Sequence, residues 1–252
     1  MKSDSQGGIW LRARAHPALP DTAVHVWRAS LDDAGESLGV LASLLSPDEQ
    51  QRASRFLFQR DRDRYVAARG ILRVLLGRYV AAPPHQLTFS YGPRGKPFLT
   101  GREGGSLRFN LSHSQGLALF ALVLDRNVGV DVEALRTLPN AEQIAERFFS
   151  PAERAAFRAL PPDQRQLAFF RCWTQKEAFI KALGEGLSLA LDRFDVSVSP
   201  HEAARLLRVD GDAERASRWV MQSLDPGPGF LGALACDGFH QLFLWDWNWL
   251  DL

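Results

Sequence analysis

At 252 residues, 46% of them apolar, the chain is long enough to bury one large core or two modest ones. Thirty Lys and Arg against 29 Asp and Glu leave a net charge of +1, which argues against a nucleic-acid binder held by overall basicity. Two cysteines, Cys172 and Cys236, exclude a disulfide framework and suit a cytoplasmic setting; MKSDSQGGIW lacks the apolar core of a signal peptide, and the longest apolar run, Leu117 to Leu124, is too short to span a bilayer.

The segment through Pro20 is rich in Arg, Ala and Pro and has no clear period. Val24 to Ser30 alternates and predicts a strand. Ser46-Pro47-Asp48-Glu49 is a helix start: a cap-type serine, proline at the first helical position, then acids in the first turn. Helical patterning continues to Val80, and Pro83-Pro84 closes it. Leu87 to Tyr91 predicts a short strand, and GPRGKPFL a loop running into another. Ser106 to Leu111 alternates, with Leu107, Phe109 and Leu111 on one side, and leads into the polar knot Ser112-His113-Ser114. After Gly116, LALFALVL suits a central strand buried on both faces. Val128 to Glu133 is the next strand, Arg136 to Asn140 a turn and Ala141 to Phe149 a helix. Ser150-Pro151-Ala152-Glu153 then repeats the earlier helix-start signal.

Phe169 to Leu187 predicts the helix around which the chain is organised, with Gly184 and Gly186 as stop signals. Phe169, Trp173, Ile180 and Leu183 form an apolar stripe. Glu177 and Lys181 each follow by one turn, so a carboxylate and an amine leave nearly the same face. Taken alone, that is an ordinary surface pair worth roughly a few tenths of a kcal/mol. Further on, Leu191 to Ser199 predicts a strand, and Ser217 to Leu224 with Phe230 to Cys236 a hairpin around DPGPG. The tail alternates Trp245, Trp247 and Trp249 and predicts a strand packed on the core.

The chain repeats itself. Ser46-Pro47-x-Glu49 matches Ser150-Pro151-x-Glu153, and Arg64 to Gly77 overlays Arg171 to Gly184. The expectation is an α+β protein of two similar halves, 1–125 and 126–252, related by a pseudo-twofold axis with the active site in the cleft between them. In this overlay Glu177 falls opposite Gly70 and Lys181 opposite Val74, so the acid and the amine belong to the second half alone.

Asp131 and Glu133 are two apart on a strand and share a face, where they repel unless a cation joins them. With Glu177 they make three carboxylates around one hard cation, a donor set that suits Mg²⁺. Mg²⁺ takes its remaining ligands from water and substrate phosphates, which predicts a phosphate-bearing ligand. Arg52, Arg55, Arg60, Arg62, Arg64, Arg69 and Arg73 crowd the first helical region, and most read as solvated charge. Arg94 and Lys96 lie in a glycine-bearing loop, and Ser112 and His113 at a strand end.

GKP, FNLSHS, GVDVE and WTQKEAFIKALGEGL, in that order, resemble the Sfp-type 4′-phosphopantetheinyl transferases, over roughly Ser46 to Ser197. The resemblance implies the 4′-phosphopantetheinyl transferase fold. It implies transfer of the phosphopantetheine arm of coenzyme A to a serine of an apo acyl or peptidyl carrier protein, Mg²⁺-dependent, with release of 3′,5′-ADP. Asp131, Glu133 and Glu177 match the magnesium positions. Lys181 matches the lysine that meets the pyrophosphate, and Glu177 serves as metal ligand, general base or both. Arg52, Arg64, Lys96, Ser112 and His113 match coenzyme A contacts; Arg94, Pro97 and Asn110 lie in the same contact segments. Glu49 departs from the pattern, since some relatives place a lysine there, and the weight rests on Arg52 and Arg64. Glu153 matches an acid implicated in activity in some relatives, although its first-turn setting explains it equally well. The rival reading is a non-catalytic scaffold for coenzyme A or a nucleotide, in which the three acids would be idle. A cytoplasmic monomer without a nucleic-acid or membrane partner completes the expectation.

Overall fold

In the computed structural model, which describes residues 9–12, 17–101, 105–184, 190–239 and 241–249, the alternating stretch AVHVWRAS is strand β2 (Ala23–Ser30), preceded by a two-residue β1 (Leu11–Arg12). Helices α1 (Ser37–Ser43), α2 (Pro47–Ala53) and α3 (Gln59–Tyr79) follow, then the small hairpin of β3 (Phe89–Tyr91) and β4 (Pro97–Leu99). Strands β5 (Leu107–Ser114) and β6 (Leu117–Leu124) form the next hairpin. β2 pairs antiparallel with β6 in a five-stranded sheet. Its core joins Trp27, Phe120 and Leu122 to Ile71, Leu72 and Leu75 of α3.

The second half contributes β7 (Val128–Ala134), α4 (Ala141–Phe148), α5 (Pro151–Ala159), α6 (Pro162–Leu183), β8 (Phe194–Val196), β9 (Leu206–Val209), α7 (Ala213–Ser217), β10 (Val220–Leu224) and β11 (Phe230–Cys236). β10, β11 and β7 form a three-stranded antiparallel sheet. Its separate core includes Phe169, Phe179, Ala233 and Ala235. The architecture is α+β.

Several expectations need correction. The helix predicted from Ser46 to Val80 is two helices: Ser54 to Phe58 break it, and Phe56 turns back onto the Tyr65 ring, 5.3 Å away. Helix α1 carried no sequence signal; it exists because Gly70 of α3 leaves room for Leu41, whose Cβ lies 2.5 Å from where a Gly70 Cβ would stand. That is the position opposite Glu177 in the repeat, so close packing rather than chemistry occupies it in the first half. The polar knot Ser112–Ser114 belongs to β5 itself. The predicted strand at 191–199 is a 3₁₀ turn, Leu191–Arg193, followed by only three residues of β8. The stop signal at Gly186 lies outside the described residues.

The chain divides into two compact units, Trp10–Asp125 with the segment from Gln241 onward, and Arg126–His240. The division falls between Asp125 and Arg126, and the tail from Gln241 goes with the first unit rather than with the second half. Strand β12 (Gln241–Asp246) pairs parallel with β2, Phe243 beside His25 and Trp245 beside Trp27. Aromatic packing selects that partner: Trp27 and Trp245 stack at 5.9 Å, and His25 meets Phe243 edge-on at 5.3 Å.

Candidate active site

Helix α6 begins with Pro162 in its first turn and ends at Gly184, whose φ of 74° is the left-handed cap that glycine adopts without strain. Phe169 and Ile180 are buried. Phe169 stacks between Phe149 and Trp173, at 5.7 and 5.9 Å. This packing fixes the rotation of the helix about its axis.

The helix lies against β7 at Gly129. A Cβ there would overlap the Ala178 carbonyl oxygen and the Ala182 amide nitrogen, and would sit 2.9 Å from the Lys181 carbonyl carbon. Gly129 is therefore required by close approach. Strand alternation puts Gly129, Asp131 and Glu133 on the same face, opposite Ala235, Ala233 and Leu231 of β11. Asp131, 4% exposed, accepts from Lys181 Nζ at 2.6 Å. Glu133 lies 3.4 Å from Arg136. The Glu177 carboxyl is pushed above the usual carboxylate range, first by burial; Lys181 opposes this, while the Asp131 and Glu133 charges add to it. The structure thus brings Asp131, Glu133, Glu177 and Lys181 into one electrostatic neighbourhood. The three carboxylates offer the oxygen donors that a hard divalent cation takes, although among the described residues no three carboxylate, His or Cys groups stand in metal-binding geometry.

Lys176, the residue before Glu177, is fully buried. Its Nζ pairs with Glu153 at 2.8 Å and donates to the Leu191 and Phe194 carbonyls at 2.7 and 2.8 Å. Glu153 also accepts from the amides of Ser150 and Val196. Burial pushes the Glu153 carboxyl up, against the pull of Lys176. Glu153 therefore ties the start of α5 to the middle of α6 and to β8.

The first unit carries a counterpart. Glu49, 1% exposed, accepts from the Ser46 amide and pairs with Arg69 and Arg73. Arg73 donates to the carbonyls of Pro84 and Leu87 at 2.9 and 3.0 Å. The spacing from Arg69 to Lys176 is also that from Pro84 to Leu191 and from Leu87 to Phe194. Arg69 and Arg73, at 6% and 1% exposed, are not the solvated charge their sequence context suggested. The shared helix-start acids, set against cations in the overlaid helices, were the available signal for both pairs.

The remaining sequence-predicted residues lie in the first unit. Arg52 is exposed on α2, over the Tyr65 ring at 5.8 Å, and lines a groove of about 520 Å³ with Asp48, Gln51, Arg55 and Phe56. Arg64 is held by Asp32, a residue the sequence did not single out. Arg94 is exposed in the Gly92–Gly95 turn, and Pro97 opens β4 opposite Tyr91. Burial lowers the Lys96 amine to about 8. Asn110 and Ser112 are buried on β5, and His113 is exposed.

Residues 27–123 match the family model described as 4′-phosphopantetheinyl transferase, N-terminal, and residues 127–235 that of the 4′-phosphopantetheinyl transferase superfamily. The chain is 42% identical over 231 residues to the 4′-phosphopantetheinyl transferase HetI of Nostoc sp., covering 91% of this chain and 94% of that protein. It is 34% identical over 198 residues to 4′-phosphopantetheinyl transferase psf-1 of Bacillus pumilus, covering 78% and 82%. A 4′-phosphopantetheinyl transferase of Bacillus subtilis is 33% identical over 163 residues, covering 65% and 70%.

Proposed function

The chain belongs to the 4′-phosphopantetheinyl transferase superfamily, and from that premise we propose that it moves the 4′-phosphopantetheine arm of coenzyme A onto a serine hydroxyl of an apo acyl or peptidyl carrier protein. The observation that carries the residue assignment is the cluster of Asp131, Glu177 and Lys181 where α6 meets β7 through Gly129. The serine oxygen forms a bond to the pantetheine-bearing β-phosphorus, the bond from that phosphorus to the bridging oxygen breaks, and 3′,5′-ADP leaves. Glu177, its carboxyl raised by burial and by two neighbouring acids, accepts the serine proton. Lys181 faces the charge that develops on the departing diphosphate.

Asp131, Glu133 and Glu177 would hold Mg²⁺, which supplies charge neutralisation of the diphosphate. Arg52, Arg64, Lys96, Ser112 and His113 are assigned to the coenzyme's phosphates and nucleotide, with Arg94, Pro97 and Asn110 in the same segments. We read the protein as acting in the cytoplasm as a monomer, with both cysteines free and buried. Among the described residues no helix is long and apolar enough to cross a membrane.

The test is incubation with coenzyme A, Mg²⁺ and a panel of apo carriers, read by intact mass. The wild type should add the phosphopantetheine mass to at least one carrier, and Asp131→Ala and chelation by EDTA should each abolish the addition. Coenzyme A binding without transfer to any carrier would favour the scaffold reading. Undiminished transfer by Asp131→Ala would remove the metal assignment.

A further inference from the structure

Arg64 hydrogen-bonds to Asp32, and Asp61 adds a longer-range attraction. Arg64 Nε donates to Asp32 Oδ1 at 2.6 Å and its Nη2 to Asp32 Oδ2 at 2.7 Å, so the carboxylate grips one edge of the guanidinium side-on. The arginine is 17% exposed and the aspartate 50%. The same carboxylate presses against the turn that follows the Ser112–Ser114 strand end. Gln115 adopts a φ of 50°, the Leu31 amide bonds to the Gly116 carbonyl at 2.7 Å, and a Cβ on Gly116 would overlap Asp32 Oδ2 and stand 3.3 Å from Arg64 Nη2. Gly116 is not in the left-handed region. A side chain there would need the Asp32 carboxylate to move, because the ion pair occupies that space.

A guanidinium carries five N–H donors in a rigid plane. With Nε and one Nη2 proton committed, the second Nη2 proton and the Nη1 proton facing it make up the end-on edge, while the other Nη1 proton points back toward Cδ. That edge matches two phosphate oxygens. An unrestrained arginine side chain would lose much of its rotamer freedom on binding an anion, and one already clamped has lost it beforehand.

We infer that Asp32 is a positioning residue for coenzyme binding: it clamps Arg64 so that only its end-on edge is presented to a phosphate beside the Ser112–Gly116 turn. This rests on the coenzyme reading above and adds to it a residue outside the motifs that carry the family resemblance. Gly116 is part of the same device, since any side chain there displaces the carboxylate.

The experiment is steady-state transfer to an apo carrier together with calorimetric titration of coenzyme A. Asp32→Ala should raise the coenzyme KM about tenfold and leave kcat within about twofold, the pattern of lost ground-state binding. Asp32→Glu should recover part of the affinity, and Gly116→Ala should mimic Asp32→Ala with the carboxylate still present. In an Arg64→Ala background, Asp32→Ala should do nothing further, because the two act as one unit. Thermal melting of each variant separates folding loss from the KM effect, and Asp32→Asn, isosteric with the wild type, replaces Asp32→Ala if the latter unfolds. An unchanged coenzyme KM in Asp32→Asn or Asp32→Ala, or additive effects of the Asp32 and Arg64 changes, overturns the inference. A wild type that binds no coenzyme A overturns the coenzyme reading instead.

Discussion

Lys181 Nζ reaches from α6 across to Asp131 Oδ1 on β7, at 2.6 Å. The i,i+4 spacing of Glu177 and Lys181 suggested a local surface pair, yet the amine is drawn to the more deeply buried acid. An ion pair with Asp131, 5% exposed in its side chain, is less screened by water than one along a helix surface. The amine and a Mg²⁺ held as proposed would compete for one carboxylate, and a bound diphosphate would offer Lys181 another anionic partner.

Gly129 sets the separation of α6 and β7. Substituting alanine pushes a methyl group into the helix backbone at Ala178 and Ala182, which cannot yield as a side-chain tip can. Gly129→Ala should cost about 1–3 kcal/mol of stability and lower kcat by about 100-fold at a temperature where the protein is fully folded. Melting curves and initial rates on the same preparation check this. A lowered melting temperature with kcat intact would mean that the close approach serves only packing.

The buried Glu153–Lys176 pair should behave as a single unit. Lys176→Met leaves a buried acid without its cation and should cost about 3–5 kcal/mol. Adding Glu153→Gln removes the stranded charge while keeping an acceptor for the Ser150 or Val196 amide, so the double variant should be more stable than Lys176→Met alone. Urea denaturation of the wild type, the two single variants and the double variant measures this. If the second change destabilises further by its full single-variant amount, the two residues are not coupled.

With Lys96 on the coenzyme as proposed, coenzyme affinity should depend on pH. Burial has lowered its amine to about 8, so the free protein carries the charge below that pH and loses it above. An anionic ligand binds the charged form. Between pH 8 and the higher value the amine takes in the complex, binding therefore costs one proton uptake, and KM should rise about tenfold per pH unit. Below pH 8 it should be flat. Lys96→Arg, charged throughout, should abolish the rise while coenzyme and carrier titrate as before. The same slope in Lys96→Arg would assign the effect to another group.

The internal repeat made one tertiary feature readable in advance, though only in part. Acids at Glu49 and Glu153 open matching helices, and Arg69 and Lys176 overlay, but neither spacing nor composition says that these groups meet in the interior. Seven arginines in one region look solvated until burial is known; Arg73, at 1% exposure, is among the largest buried side chains of the molecule. Asp32 offered no pattern at all, because its partners Arg64 and Gly116 lie far along the chain and no period connects them.

Local spacing was enough to determine which face of α6 carries Glu177 and Lys181, and that Asp131 and Glu133 point the same way. These follow from the 3.6- and 2-residue periods of helix and strand, which every short stretch displays. Only the tertiary structure decided that Lys181 answers to Asp131, that Gly129 admits the helix, that Glu153 and Glu49 are buried anchors, and that the tryptophan tail joins the sheet of the first unit beside β2. Those outcomes depend on contacts between residues tens to hundreds of positions apart, and on how deeply each charge is taken out of water, which a one-dimensional pattern does not encode.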